Sequence, residues 1–537
     1  MRSDVVVKPG SDPRFERVLA RRGEGGYRQF RIPALAISPR GTLLAAYDGR
    51  PNLDDLPNPI DLLLRRSFDG GRTWAAQQVV RTGTGLDGYG DPSILIDRET
   101  GRIFVFHAAG THAGFFEAVE GIDDEDAVQH ADVSYSDDDG ETWTHRRLTG
   151  MLKRPGITGL FAAAGAGIQL HAGAFAGRLV QQFVVLHRGE IMAASAYSDD
   201  HGETWTLGEL IAGTNENKVV CLSDGTVLMH SRATPHRLVA LSRDGGHSYS
   251  IPAPHADLPD PSDNGSVARF DGLPNVDLAR DDSDQWLLAT HNHDTDLRRN
   301  TVLKLSQDDG VTWPFAVTLC GGSSAYSTVA RLPDGRIGVL YERDGYQEIV
   351  FVSLPVDELL ASPTAELTHD DGTVRTGEVE MDVVLRSITP ARPAEWRSVG
   401  ESVVLGVTEG DWDASAWKEV GQGYTADAPQ VLSNRESQDL NYGPIAPGFR
   451  TGDLLAFSGR VRGQADAVTV SVAGQELLPA TALAAGEKAT FTHTHVVTAD
   501  EVARGAVEIA FVMTVAGVGE ARRVLAYDVR TGQALSY

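Results

Sequence analysis

The chain has 537 residues, 41% hydrophobic and 23% charged, a normal globular mix that is too long for one compact core. Its 74 acidic residues against 48 basic ones give a net charge of −26, which excludes a general nucleic-acid or anionic-membrane binder. The longest apolar runs fall far short of a membrane span, and two cysteines cannot make a disulfide framework or a zinc site. Cys221 is expected to be a small core residue.

No charged, apolar, small-residue leader precedes the first motif near Phe30. As written the chain is therefore expected to be cytoplasmic, and secreted or at the cell surface if a leader has been removed.

In chain order, the organising feature is a repeat. Five segments follow Ser-x-Asp-x-Gly-x-Thr-Trp or a near variant: Ser67–Trp74, Ser136–Trp143, Ser198–Trp205, Ser242–Tyr249 and Ser306–Trp313. They start roughly 60 residues apart on average, a spacing of supersecondary units. In each, the Asp carboxylate suits a turn, Gly accepts positive φ, and Thr and Trp are expected to begin an outgoing strand. An apolar or alternating strand precedes each box, as at Leu62–Arg66, Ala131–Tyr135 and Thr301–Leu305. Each box therefore reads as a hairpin turn, and repeated hairpins at this interval suit propeller blades of four strands. The box carboxylates are turn builders, with no catalytic role expected. Helical periodicity is nearly absent before residue 355, so the expected fold is all-β: a six-bladed β-propeller over residues 1–358.

Beyond it, residues 359–440 mix Pro, Asp, Ser and Gly with short strands such as Val379–Leu385 and Ser402–Val407. They are expected to be a linker or the start of an accessory β domain. Alternating runs at Leu454–Val461, Ala467–Val472, Lys488–Val497 and Val507–Val515 place an Ig-like β-sandwich at 441–537.

Phe30-Arg31-Ile32-Pro33 opens the first blade, and with the five boxes it resembles the bacterial sialidases, which carry an FRIP motif and Asp boxes. The resemblance covers about residues 23–355 and extends to GYRQFRIPAL, YDGRP, GYGDPS, ENKVV and YSTVARLPDG. It implies removal of terminal sialic acid from glycoproteins, gangliosides and sialyl-oligosaccharides, with retention of configuration, and neither metal nor cofactor. A sialoside carries a carboxylate on its anomeric carbon, and arginine is the side chain whose planar, permanently charged fork fits it. The family's triad maps onto Arg31, Arg232 and Arg298. Arg299 is the alternative to Arg298, and in a strand the two point to opposite faces.

A carboxylate nucleophile would approach a centre that already bears a carboxylate. A tyrosine paired with a glutamate avoids that repulsion. The resemblance implies Tyr326 as nucleophile, Glu216 as its base, and Asp55 as acid/base, with Asp54 as the competitor. Glu342 is expected to pair with Arg31, and Arg50 and Asp91 to line the pocket. The Asp-rich stretch Asp123–Asp126 reads as an exposed loop rather than a calcium site. Two rival readings stand beside hydrolysis: a lectin-like sialic-acid binder and a trans-sialidase.

Overall fold

The computed structural model describes residues 13–83, 87–110, 113–123, 126–270, 283–367, 373–389 and 448–535. Ser402–Val407, and Asp124 and Glu125 of the acidic stretch, lie outside them.

The first two thirds form antiparallel sheets built almost wholly from consecutive hairpins. Gln29–Ile37, Leu43–Arg50, Asp61–Ser67 and Gln78–Arg81 pair in chain order as one four-stranded blade. Asn217–Cys221, Val227–Ser231, His236–Ser242 and Ala253–Pro259 make another. One long strand, Phe315–Arg331, pairs with Arg299–Ser306 through its first half and with Ile337–Arg343 through its second, so it serves two blades. The second of these is completed by Phe15–Arg21, which pairs with Glu348–Leu354 and ties the chain's beginning to the end of the propeller. Counting the shared strand twice, the described residues of the propeller hold six groups of strands, four with four strands, one with five and one with six. The all-β propeller expectation holds, although the closing strand carried no sequence signal.

The boxes show why the sequence folds this way locally. Ser67 Oγ donates to Asp69 Oδ1 at 2.9 Å and accepts from Gly71 N at 2.9 Å. Thr73 donates to the same carboxylate from its amide (2.9 Å) and its hydroxyl (2.6 Å). Asp138, Asp200, Asp244 and Asp308 repeat the pattern. In the second box, the Thr142 hydroxyl and turn amides hold the Asp138 carboxyl below the usual carboxylate range. Gly71 has φ +86°, and a Cβ there would lie 2.1 Å from the Phe351 ring, so only glycine fits. One detail differs from expectation: in the first box the outgoing strand starts at Gln78, beyond Trp74, and Thr73 belongs to the turn, with its amide on Asp69. The Trp indoles do pack beneath the turns: Trp205 Nε1 donates to Gly202 O at 3.1 Å, and its ring meets Phe106 at 5.0 Å. Cys221 is buried in a blade core.

Two further four-stranded sheets pack face to face as the C-terminal sandwich around Val379, Phe457, Val470 and Phe511. The first contains Val374–Thr376 and Val379–Thr389 beside Leu454–Arg462 and Lys488–Val496. Residues 374–389 are thus strands of the same sandwich as the last ninety residues. Gln475–Leu483 and Gly519–Asp528, unmarked in the sequence reading, complete the second sheet. Among the described residues no helix is long and apolar enough to cross a membrane.

Candidate active site

The propeller's strands break register where the site residues stand. In Gln29–Ile37 the ladder slips between Arg31 and Ala34, and Ile32 takes φ 62°, a region a β-branched residue rarely enters. Pro33 lacks an amide, so the ladder loses nothing at the bulge. The displaced Ile32 amide instead donates to Glu342 Oε1 at 2.8 Å. Gly90-Asp91-Pro92 repeats the device: the ladder slips between Gly90 and Ser93, and Asp91 has φ 61°. The ladder also slips beside Asn300 (φ 58°) and around Tyr326. Ile32, Asp91 and Tyr326, at three of these irregularities, line one shared cavity.

Arg31, Asp55, Asp91, Glu216, Arg232 and Tyr326 line that cavity together. The Tyr326 hydroxyl donates to Glu216 Oε1 at 2.8 Å and lies 2.6 Å from Arg232 Nη1, which is itself 2.7 Å from the same carboxylate oxygen. The second oxygen, Glu216 Oε2, is buried without a hydrogen-bond partner. The guanidinium carbons of Arg31 and Arg298 lie 5.0 and 5.3 Å from the centre of the Tyr326 ring. Burial pushes the Tyr326 phenol well above its ordinary pKa, and Glu216 adds to that. Arg232, Arg298 and Arg31 pull the other way without prevailing, so the resting phenol is neutral.

Each arginine is held by a carboxylate or a neighbouring side chain. Arg31 makes a two-point contact with Glu342, Nε at 3.2 Å and Nη2 at 3.4 Å, and Glu342 is fully buried. Arg298 Nε reaches Asp263 at 3.2 Å, and its Nη1 donates to the Tyr346 hydroxyl at 3.2 Å. Arg299 points elsewhere, with Nε on Asp294 at 2.8 Å, so the two adjacent arginines do face opposite ways.

Asp55 sits on the loop after Arg50. Asn58 Nδ2 donates to Asn52 Oδ1 and to the Asp54 carbonyl, both at 2.9 Å, which folds the loop on itself. Arg50, itself buried, contacts Asp48 at 2.6 Å and Asp55 Oδ1 at 2.8 Å. Desolvation at the pocket wall pushes Asp55 up, but Arg50 and Arg31 outweigh it and hold the carboxyl below its usual range. The Asp55 side chain is 75% exposed, so solvent screens part of that pull. Desolvation, with Asp48 and Asp55 nearby, pushes Asp91 well up. Asp55, not Asp54, lines the cavity.

Sequence reasoning missed several residues. Asp48 is the buried partner of Arg50, pushed by desolvation to about 6. Asp263 is the buried partner of Arg298, pushed by desolvation to about 7. Tyr346 lies under the Arg31 guanidinium at 4.3 Å, in a turn where it has φ 67°. Phe115 stacks edge-on with Phe161 and with Phe116, and Phe116 is 68% exposed at the cavity rim. Of these, only Asp48 stood inside a quoted motif, and nothing in the sequence marks the others as near the site.

The family described as BNR repeat-like domain matches residues 41–339 of the chain. A sialidase of Micromonospora viridifaciens is 46% identical over 347 residues, covering 63% of this chain and 53% of that protein, so the chain spans about half of its length. Sialidase-2 of Cricetulus griseus is 30% identical over 364 residues, covering 60% of this chain and 91% of that one. Among solved structures, the Hadza microbial sialidase Hz136 superposes with a TM-score of 0.58 at 26% identity, covering 64% of this chain and 69% of that one. With the box repeats, the arginines around Tyr326 and these matches together, the chain belongs to the sialidase family.

Proposed function

We propose that the chain is a retaining exo-α-sialidase acting on terminal sialic acids of oligosaccharides, glycoproteins and glycolipids. The observation that supports this most is the Tyr326 hydroxyl bonded to Glu216 within a ring of three guanidiniums. The substrate carboxylate lies against Arg31, Arg232 and Arg298. Tyr326 attacks the anomeric carbon as Glu216 takes its proton. The two steps are concerted, because the buried phenol does not ionise beforehand. Asp55 protonates the departing glycosidic oxygen, then removes a proton from the water that opens the glycosyl-tyrosine intermediate, while Glu216 returns its proton to the released Tyr326 oxygen. Binding the substrate carboxylate offsets the arginines that depress Asp55, so the ligand itself raises the acid toward its working protonation state.

Release of a fluorescent aglycone from an α-sialoside tests the reading. Turnover supports it, and none by the pure protein anywhere from about pH 4 to 8 overturns it in favour of a lectin-like binder. A second reading, transfer of the sialyl group to a sugar acceptor, is favoured by exposed Phe116 on the rim that also carries Asp55. Sialylated lactose formed with lactose in excess would select it, and free sialic acid alone would select hydrolysis.

A further inference from the structure

We infer that the C-terminal sandwich is a positioning element of the active site, acting through the Asp382–Arg460 ion cluster on Arg298. The inference rests on the sialidase reading above.

The strand Val379–Thr389 touches the propeller beside four segments that carry site residues. The buried Gln29 side chain, two residues before Arg31, donates to Ile388 O at 2.8 Å. Ser323, three residues before Tyr326, donates its hydroxyl to Leu385 O. Gly345, next to Tyr346, is so close that a Cβ would lie 2.7 Å from the Leu385 side chain. Asp382 Oδ2 meets Arg299 Nη2 at 3.3 Å. One strand of the accessory domain thus borders the segments of Arg31, Tyr326, Tyr346 and Arg298.

The ion cluster gives this seat its direction. Arg460 places Nη2 on Asp382 at 2.8 Å, Nη1 on Asp294 at 2.9 Å and Nη1 on Asp296 at 2.8 Å. Lys488 also binds Asp296. Three cations (Arg299, Arg460, Lys488) therefore face three carboxylates (Asp294, Asp296, Asp382), and Arg299, Arg460, Asp294 and Asp382 are buried. Asp294 Oδ1 in turn accepts from the Asp296 amide at 2.8 Å and the Leu297 amide at 3.0 Å. The backbone leading into Arg298 is therefore moulded around a carboxylate that the sandwich holds. A buried pair of this kind adds little net stability but costs heavily when one partner is lost, so its effect is geometric.

Arg460→Met in the full-length chain leaves three carboxylates facing two cations. The expected result is an increase in KM for an aryl α-sialoside of about tenfold, the coupling that a remote network contact carries, with kcat changed much less. Arg460→Lys should recover part of the KM. Val507→Ala, in the sandwich core away from the cluster, should lower Tm and leave KM unchanged. Asp382→Asn, nearly isosteric, replaces Arg460→Met should that variant fail to fold. An active wild type with an unchanged KM in the folded variants overturns the inference. An inactive wild type instead overturns the functional reading beneath it.

Discussion

The Tyr326 hydroxyl and Glu216 Oε1 are 2.8 Å apart, with the phenol donating. The pair is buried, and Arg232 Nη1 touches both members at 2.6 and 2.7 Å. The geometry suits the proposed roles, a neutral nucleophile already bonded to its base. Burial raises the phenol further above its ordinary value, so the bonded hydroxyl keeps its proton at rest.

Tyr326→Phe removes the oxygen proposed as the nucleophile and leaves all three arginines in place. The expected outcome is a loss in kcat of about a hundredfold or more, with affinity for a sialic-acid-like carboxylate inhibitor kept within a few fold. Steady-state kinetics with an inhibition titration checks it, and near-wild-type kcat would remove Tyr326 from the role.

Asp55→Ala withdraws the group proposed to protonate the leaving oxygen. Alkyl sialosides, whose leaving groups need that proton, should lose at least about tenfold more kcat/KM than activated aryl sialosides. An equal loss on both substrates would assign Asp55 to binding alone.

The contact of Arg50 with Asp55 predicts a pH effect of defined sign. Arg50 stabilises the ionised carboxylate, so kcat/KM on alkyl substrates should fall as pH rises through the depressed pKa of Asp55 in the free protein. Arg50→Met releases that depression and should move the falling limb to higher pH by about one unit, an ordinary effect for one adjacent charge. A limb that stays put, or moves to lower pH, contradicts the acid assignment.

Trp205→Ala tests the boxes as structure alone. Trp205 is buried against Phe104 and Phe106 and closes its turn through Gly202. Its loss should cost about 3–5 kcal/mol of stability. Thermal melts should show a lower Tm while KM, measured below the melt, stays as in the wild type. A changed KM with unchanged Tm would mean the box reaches the site.

The physical reason for what was legible lies in locality. A box is a closed circuit of Ser, Asp, Gly and Thr within eight residues, so composition and spacing reveal it directly. The Arg31-Ile32-Pro33 bulge is likewise written locally, by a proline where a ladder amide would be lost. Tyr326 was legible only through resemblance, since nothing near it in the chain supplies Glu216, which stands 110 residues away.

By itself the sequence determined the repeat, the all-β architecture and the residue types that a charged sugar needs, because turns and strand alternation depend on neighbours in the chain. Only the tertiary structure decided which of two adjacent arginines faces Tyr326. The bulge beside Asn300 and the carboxylates Asp263, Asp294 and Asp382, from separate segments, sort Arg298 from Arg299. It alone decided that Phe15–Arg21 closes the last blade and that Val379–Thr389 sits beneath the site. Those pairings join residues from 62 to 359 positions apart, where burial and charge balance choose the partners and no local pattern records the choice.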